Sequence, residues 1–128
     1  MIDPSMFGPL AGDGIRKVLS GCRSRTCLHI CGHAAPIIGE MVSTGADSLS
    51  LEDLVDPGEA VKAVGGRAAL VGNVGPVEPL LTGTAVDVAD AARRAEDSGF
   101  DVIAPGCGVA PMTPDGNMLA LAHFRDLR

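Results

Sequence analysis

The chain has 128 residues and a formal net charge of −6, with 46% hydrophobic and 20% charged residues. That is apolar enough for a folded core and too sparsely charged for a disordered segment. The acidic balance speaks against a nucleic-acid role, which needs a basic face. Aromatic residues are only 2%, with no Trp or Tyr, so the core must come from aliphatic side chains and Met. No run of about 18 apolar residues occurs, and the opening "MIDPSMFGPLAGDG" lacks the pattern of a signal peptide. A cytoplasmic protein without membrane contact is expected. Its four cysteines then read as thiols or ligands, not as a disulfide frame.

The elements begin with a helix in "DPSMFGPLAGDGIRKVLSG", opened by Asp3 and Pro4 and weakened by Gly12 and Gly14. The run "TCLHIC" (26–31) predicts the first strand, and "APIIGEMVSTG" a short helix closing on Gly45. "ADSLSL" (46–51) follows as the second strand. Asp56 then reads as an N-cap, with Pro57 at the first helical position and Glu59 set for a capping box. "AALVGNV" (68–74) is the third strand; its helix starts at Thr84, carries Asp87 in the first turn and ends at Gly99. "FDVIAPG" (100–106) is the fourth. A last helix opens at Thr113 and Pro114 and is expected to run to the end of the chain.

One helix followed by four βα units predicts an α/β fold, a parallel sheet with right-handed crossovers and helices outside it. Four strands make half of an eight-stranded (β/α)₈ TIM barrel. A dinucleotide-binding alternative would need G-x-G-x-x-G after the first strand, and "CGHAAP" lacks it.

Two cysteines and two of the three histidines crowd into "TCLHICGH". In a strand, His29 and Cys31 share a face while Leu28 and Ile30 point to the covering helices. The pair lies at the carboxyl end of its strand, where βα barrels concentrate chemistry. Cys107, between two glycines in "APGCGVAP", sits at the same end of the fourth strand. His29, Cys31 and Cys107 form a soft three-ligand set suited to catalytic zinc, with the fourth tetrahedral position open. Their ligand atoms are expected about 3–4 Å apart. That demands strong curvature, because the first and last of these strands are not neighbours. Two thiolates and a neutral imidazole cancel the charge of Zn²⁺, which suits thiol activation better than water activation. Glu52 and Asp53 end the second strand facing the mouth, where one of them could act as a transient fourth ligand or bond to His29. Asn73, ending the third strand, is a further candidate for contact with substrate or a ligand. Cys27 is expected in the core, Cys22 in a polar loop, His33 beside the turn and His123 on the surface.

The segments "LHICGHAAPIIGEMVSTGADSLSLEDLVD", "VGNVGPVEPLLTGT" and "IAPGCGVAPMTPDGN" resemble the carboxyl half of the uroporphyrinogen decarboxylase superfamily, and most closely its methylcobamide:coenzyme M methyltransferase branch. The resemblance implies a (β/α)₈ barrel and assigns zinc to His29, Cys31 and Cys107. It also implies methyl transfer from a methylated corrinoid (methylcobamide), borne by a separate carrier protein, to a small thiol such as coenzyme M. Family members are much longer, so residues 1–128 are expected to form a single partial domain of a truncated or partial enzyme. Self-association of two half-barrels would be one way to bury the inner face. The alternatives are a decarboxylase of porphyrin biosynthesis and a half-barrel fragment without catalysis.

Overall fold

The computed structural model describes residues 4–127. Helix α1 (Pro4–Phe7) passes through a π-helical stretch, Gly8–Gly12, into α2 (Asp13–Ser20). Pro9 sits inside that wide turn, where its missing N–H and bulky ring would break a tighter ladder. The expected opening cap, Asp3, lies outside the described residues. Four strands follow: β1 (Cys27–His29), β2 (Ser48–Leu51), β3 (Ala69–Val74) and β4 (Val102–Pro105). They form one fully parallel sheet in the order β1-β2-β3-β4. The crossovers are α3 (Ile38–Ser43), preceded by a 3₁₀ turn over Ala35–Ile37, then α4 (Pro57–Val64) and α5 (Ala85–Ser98); α6 (Asp115–Ala122) follows β4. This is half of a (β/α)₈ barrel.

Capping sets the helix starts. Asp56 accepts from the Glu59 N–H at 2.9 Å to open α4. Thr84 and Asp87 form a reciprocal capping box on α5. The last helix is shorter than its sequence suggests, stopping at Ala122. Phe124 is drawn into the core, and Arg93 Nη2 takes the Phe124 carbonyl at 3.0 Å, so the chain turns there.

The helix-facing side of the sheet supplies Leu28, Leu49, Leu51, Leu70 and Ile103 to the core. Ile103 also packs against a second cluster built on Val74, Leu80, Val88 and Phe124. The other side carries Cys27, His29, Ser48, Ser50, Val71 and Val102, none of them buried. Cys27 is therefore exposed, not part of the core as expected. Its side chain does point to the inner face, but among the described residues nothing packs over it there. Among the described residues no helix is long and apolar enough to cross a membrane.

Two aspartates pin the amino ends of the strands. Asp101 accepts from the Leu70 N–H at 2.8 Å. Asp47 accepts from both the N–H and the hydroxyl of Thr26 at 2.9 Å and pairs with Arg25. The Thr26 backbone N–H, the Arg25 guanidinium and the Thr26 hydroxyl hold the Asp47 carboxyl below the usual aspartate range. Because the folded value lies below the unfolded one, the unfolded chain takes up this proton first. The contribution of Asp47 is thus present above about pH 4 and is lost as pH falls through the lowered folded value. Asp47→Asn is expected to lower the urea midpoint at pH 7, with the gap to the unsubstituted protein narrowing as pH falls below about 4. An unchanged gap across that range would show that the carboxylate charge is not what anchors β1.

Candidate metal centre

Strand β1 delivers two side chains to the carboxyl end of the sheet. His29 is its last residue, and Cys31 follows on the same side, with His29 Nε2 and Cys31 Sγ 3.2 Å apart. The other ring nitrogen, Nδ1, lies 3.1 Å from the Ser50 carbonyl oxygen and 3.0 Å from the Ser50 hydroxyl. A carbonyl can only accept, so Nδ1 carries a proton, and in the neutral ring Nε2 turns its lone pair towards the sulfur.

Strand β4 delivers the second sulfur. The Gly106 N–H donates to the Val74 carbonyl at 2.8 Å, extending the ladder one residue past Pro105. Cys107 Sγ then lies 3.6 Å from Cys31 Sγ. What allows this is the close passage of Gly106 over the end of β2. A Cβ there would meet Glu52 Cα at 2.9 Å and the Asp53 nitrogen at 3.1 Å. Gly72, with φ at 132°, passes the end of β2 as tightly: a Cβ would stand 2.5 Å from the Leu51 carbonyl oxygen. Any side chain at these positions would push the strand ends apart.

Glu52 completes the cluster. One ligand atom from each of His29, Cys31, Glu52 and Cys107 lies within 4.8 Å of every other. Asp53, its neighbour, is exposed and does not join the group. The expected bond from this acidic pair to His29 is supplied by Ser50 instead. Asn73 is buried, and its side-chain amide donates to the carbonyls of Val55 at 2.8 Å and Glu52 at 3.3 Å. It therefore reaches the cluster through the backbone of the loop that carries Glu52. Cys22 is exposed and hydrogen-bonded to the Val18 carbonyl. His33 borders an apolar groove of about 300 Å³ beside Phe7 and Ile37. His123 is exposed, 3.8 Å from Asp126.

Ser50 is the residue that sequence reasoning missed. The alternation in "SLSL" puts it on the inner face, but only the observed register, His29 opposite Ser50, brings the two together. His29, Cys31, Ser50, Pro105, Cys107 and Gly108 line a shallow cavity of about 260 Å³ that opens on the inner side of the sheet.

Electrostatically the cluster gathers two thiols and a carboxylate around one imidazole. The Gly108 N–H draws the Cys107 pKa down, but the Glu52 carboxylate and the Cys31 thiol outweigh it, so the thiol is held above its ordinary value. A divalent cation reverses that balance, because its ligands must be deprotonated. The donor set also fits one. Tetrahedral bonds of about 2.0 Å to nitrogen and 2.3 Å to sulfur place the donors roughly 3.5–3.8 Å apart. The separations of 3.2 and 3.6 Å lie near that range. Two sulfurs, an imidazole nitrogen and a carboxylate oxygen suit a borderline-soft ion.

The structure is thus a parallel half-barrel with two cysteines, a histidine and a glutamate gathered at its carboxyl rim. The uroporphyrinogen decarboxylase (URO-D) family model matches residues 1–126, and the chain belongs to that family. It is 39% identical over 127 residues to the methylcobamide:CoM methyltransferase MtaA of Methanosarcina barkeri, covering 98% of this chain and 38% of that protein. It is 40% identical over 81 residues to a uroporphyrinogen decarboxylase of Methylobacillus flagellatus, covering 61% of this chain and 23% of that protein. Among solved structures, a methyltransferase from Methanosarcina mazei superposes with a TM-score of 0.94 at 38% identity, covering 98% of this chain and 38% of that one. The chain thus spans little more than a third of the length of these methyltransferases.

Gly106 ligates nothing, yet Gly106→Ala is expected to weaken zinc binding about 10–100-fold, as changes behind a ligand shell do. Competition against a chromogenic chelator measures this. Unaltered affinity in a folded variant would show that the Gly106 contact does not set the position of Cys107.

Proposed function

We propose that this chain carries the thiol-activating centre of a zinc-dependent methyltransferase. In this reading the enzyme moves a methyl group from a methylcobamide, held on a corrinoid carrier protein, to a small thiol such as coenzyme M in the cytoplasm. The observation that carries the proposal is the convergence of His29 Nε2, Cys31 Sγ, Cys107 Sγ and the Glu52 carboxylate. Methylcobamide:CoM methyltransferases among the relatives support it. Zinc bound there would hold the substrate sulfur as a thiolate at neutral pH.

The residues of the chain divide that work. Cys31 and Cys107 contribute two negative charges and His29 none, so together they balance a dication and leave an incoming sulfur electron-rich. Glu52 stands on the remaining side of the cluster, where its carboxylate would take the proton of an entering thiol and pass it to solvent. Asn73 holds the loop on which Glu52 rides. The uroporphyrinogen decarboxylases among the relatives suggest the other reading, but removing carboxylate from a pyrrole side chain has no use for a thiolate pair.

Adding coenzyme M to the zinc-loaded chain is expected to release about one proton per zinc near pH 7, because the bound thiol ionises. The metal-free chain and Cys31→Ala should release none. Proton release that is absent from the loaded chain, or equal in the metal-free one, would contradict the proposal. Cys27→Ala, two residues below His29, is expected to retain one zinc per chain by elemental analysis. Loss of zinc from that variant while it stays folded would mean that the wrong sulfur has been assigned.

A further inference from the structure

We infer that Ser50 is a positioning residue of the metal centre, acting on the metal through His29. The inference rests on the zinc reading of the cluster and adds a residue to it. Ser50 is the one side chain on β2 that faces His29 in register, and it offers two acceptors to the same nitrogen: its carbonyl at 3.1 Å and its hydroxyl at 3.0 Å. The two divide the task. The carbonyl, part of the sheet backbone, selects the tautomer with the proton on Nδ1. The hydroxyl, standing on the inner face beside the ring, fixes the rotation of the imidazole about its own axis. A lone carbonyl acceptor leaves the ring free to swing, and with it the direction of the Nε2 lone pair.

That restraint carries weight because little else holds the ring. His29 is exposed on the open inner face, so packing does not confine it. Its remaining polar contact is Cys31, itself a proposed ligand and also exposed. Ser50 is half-buried between its neighbours on the sheet, and its hydroxyl makes no bond to any other side chain among the described residues. An acceptor on the far nitrogen also raises the basicity of the ligating one, which strengthens metal binding. Ser48, on the same face two residues earlier, provides the contrast: its hydroxyl donates to the Thr26 carbonyl at 3.1 Å and has no bond to the ring.

The test uses the whole chain and zinc or cobalt(II) alone as probes. Ser50→Ala removes the hydroxyl and keeps the carbonyl, so zinc affinity should fall about tenfold, the lower end of the range for groups behind metal ligands. Ser50→Thr, which keeps a hydroxyl on Cβ, should restore most of it, and Ser48→Ala should match the unsubstituted chain. In the cobalt(II) form, Ser50→Ala should keep the thiolate charge-transfer bands and shift the ligand-field bands, since only the imidazole has loosened. Thermal unfolding of each variant separates a lost restraint from a lost fold. His29→Ala and Cys107→Ala distinguish the two layers of the argument. If both abolish binding while Ser50→Ala keeps full affinity and an unshifted spectrum, the role of Ser50 is refuted and the metal centre stands. If His29→Ala and Cys107→Ala also bind normally, the metal centre falls and Ser50 with it. Equal losses in Ser50→Ala and Ser50→Thr would likewise contradict a role for the hydroxyl.

Discussion

The contact of Gly106 with the end of β2 is the constraint on which the site depends. In a flat sheet neighbouring strands lie about 4.8 Å apart, so β1 and β4, three spacings removed, would stand roughly 14 Å apart. Two cysteine side chains cannot bridge that distance. Yet their sulfurs approach to 3.6 Å. The twist and coil of a barrel supply part of the closure. The rest comes after the strands end, where the β4 loop crosses the end of β3 and lies on Glu52 and Asp53. Glycine at 106 makes that approach possible, and the bond from its N–H to Val74 aims it. One contact thereby brings Cys107 towards Cys31 and towards Glu52 at once.

The loops at this end are held by buried amides. Asn73 ties the loop after β2 through the carbonyls of Glu52 and Val55. Asn117, on α6, does the same for the loop after β3 through Leu80 and Gly83, both at 2.9 Å. Each amide bonds two loop carbonyls, one of which, that of Glu52, also accepts from the Val55 N–H at 3.1 Å. The cluster gains a rigid support although three of its four ligand-bearing residues lie beyond the strands. The electrostatics run the other way. A carboxylate and two thiols gathered within 4.8 Å disfavour further negative charge, which is why Cys107 holds its proton more tightly than an ordinary thiol. The fold has gathered groups that repel one another when ionised, and a cation is what would make the arrangement favourable.

Much of this was legible in the residues. Alternation in "LHIC" separates Leu28 and Ile30, which pack on the helices, from His29 and Cys31, which face inwards. The βα order dictates a parallel sheet, and the helix start read at Thr84, with Asp87 in its first turn, is reproduced by the structure. What escaped depends on contacts distant in sequence. Ser50 looks like an ordinary strand serine until the register sets it against His29, 21 residues earlier. The burial of Asn73 follows from where the Glu52 loop returns, which no local pattern encodes. Cys27 was expected in the core because inward strand residues usually are; here, among the described residues, no second layer covers the inner face. The end of α6 was lost because Phe124 leaves the helix for a tertiary pocket, overriding a continuous helical pattern.

The central claim, that these four residues of one short chain assemble a metal site of defined donors, is tested most directly by zinc K-edge X-ray absorption on the metal-loaded chain. The account predicts two sulfur neighbours at about 2.3 Å and a shell of two nitrogen or oxygen neighbours at about 2.0–2.1 Å. A shell of nitrogen and oxygen alone, or one with three or four sulfurs recruited from Cys22 and Cys27, would contradict it.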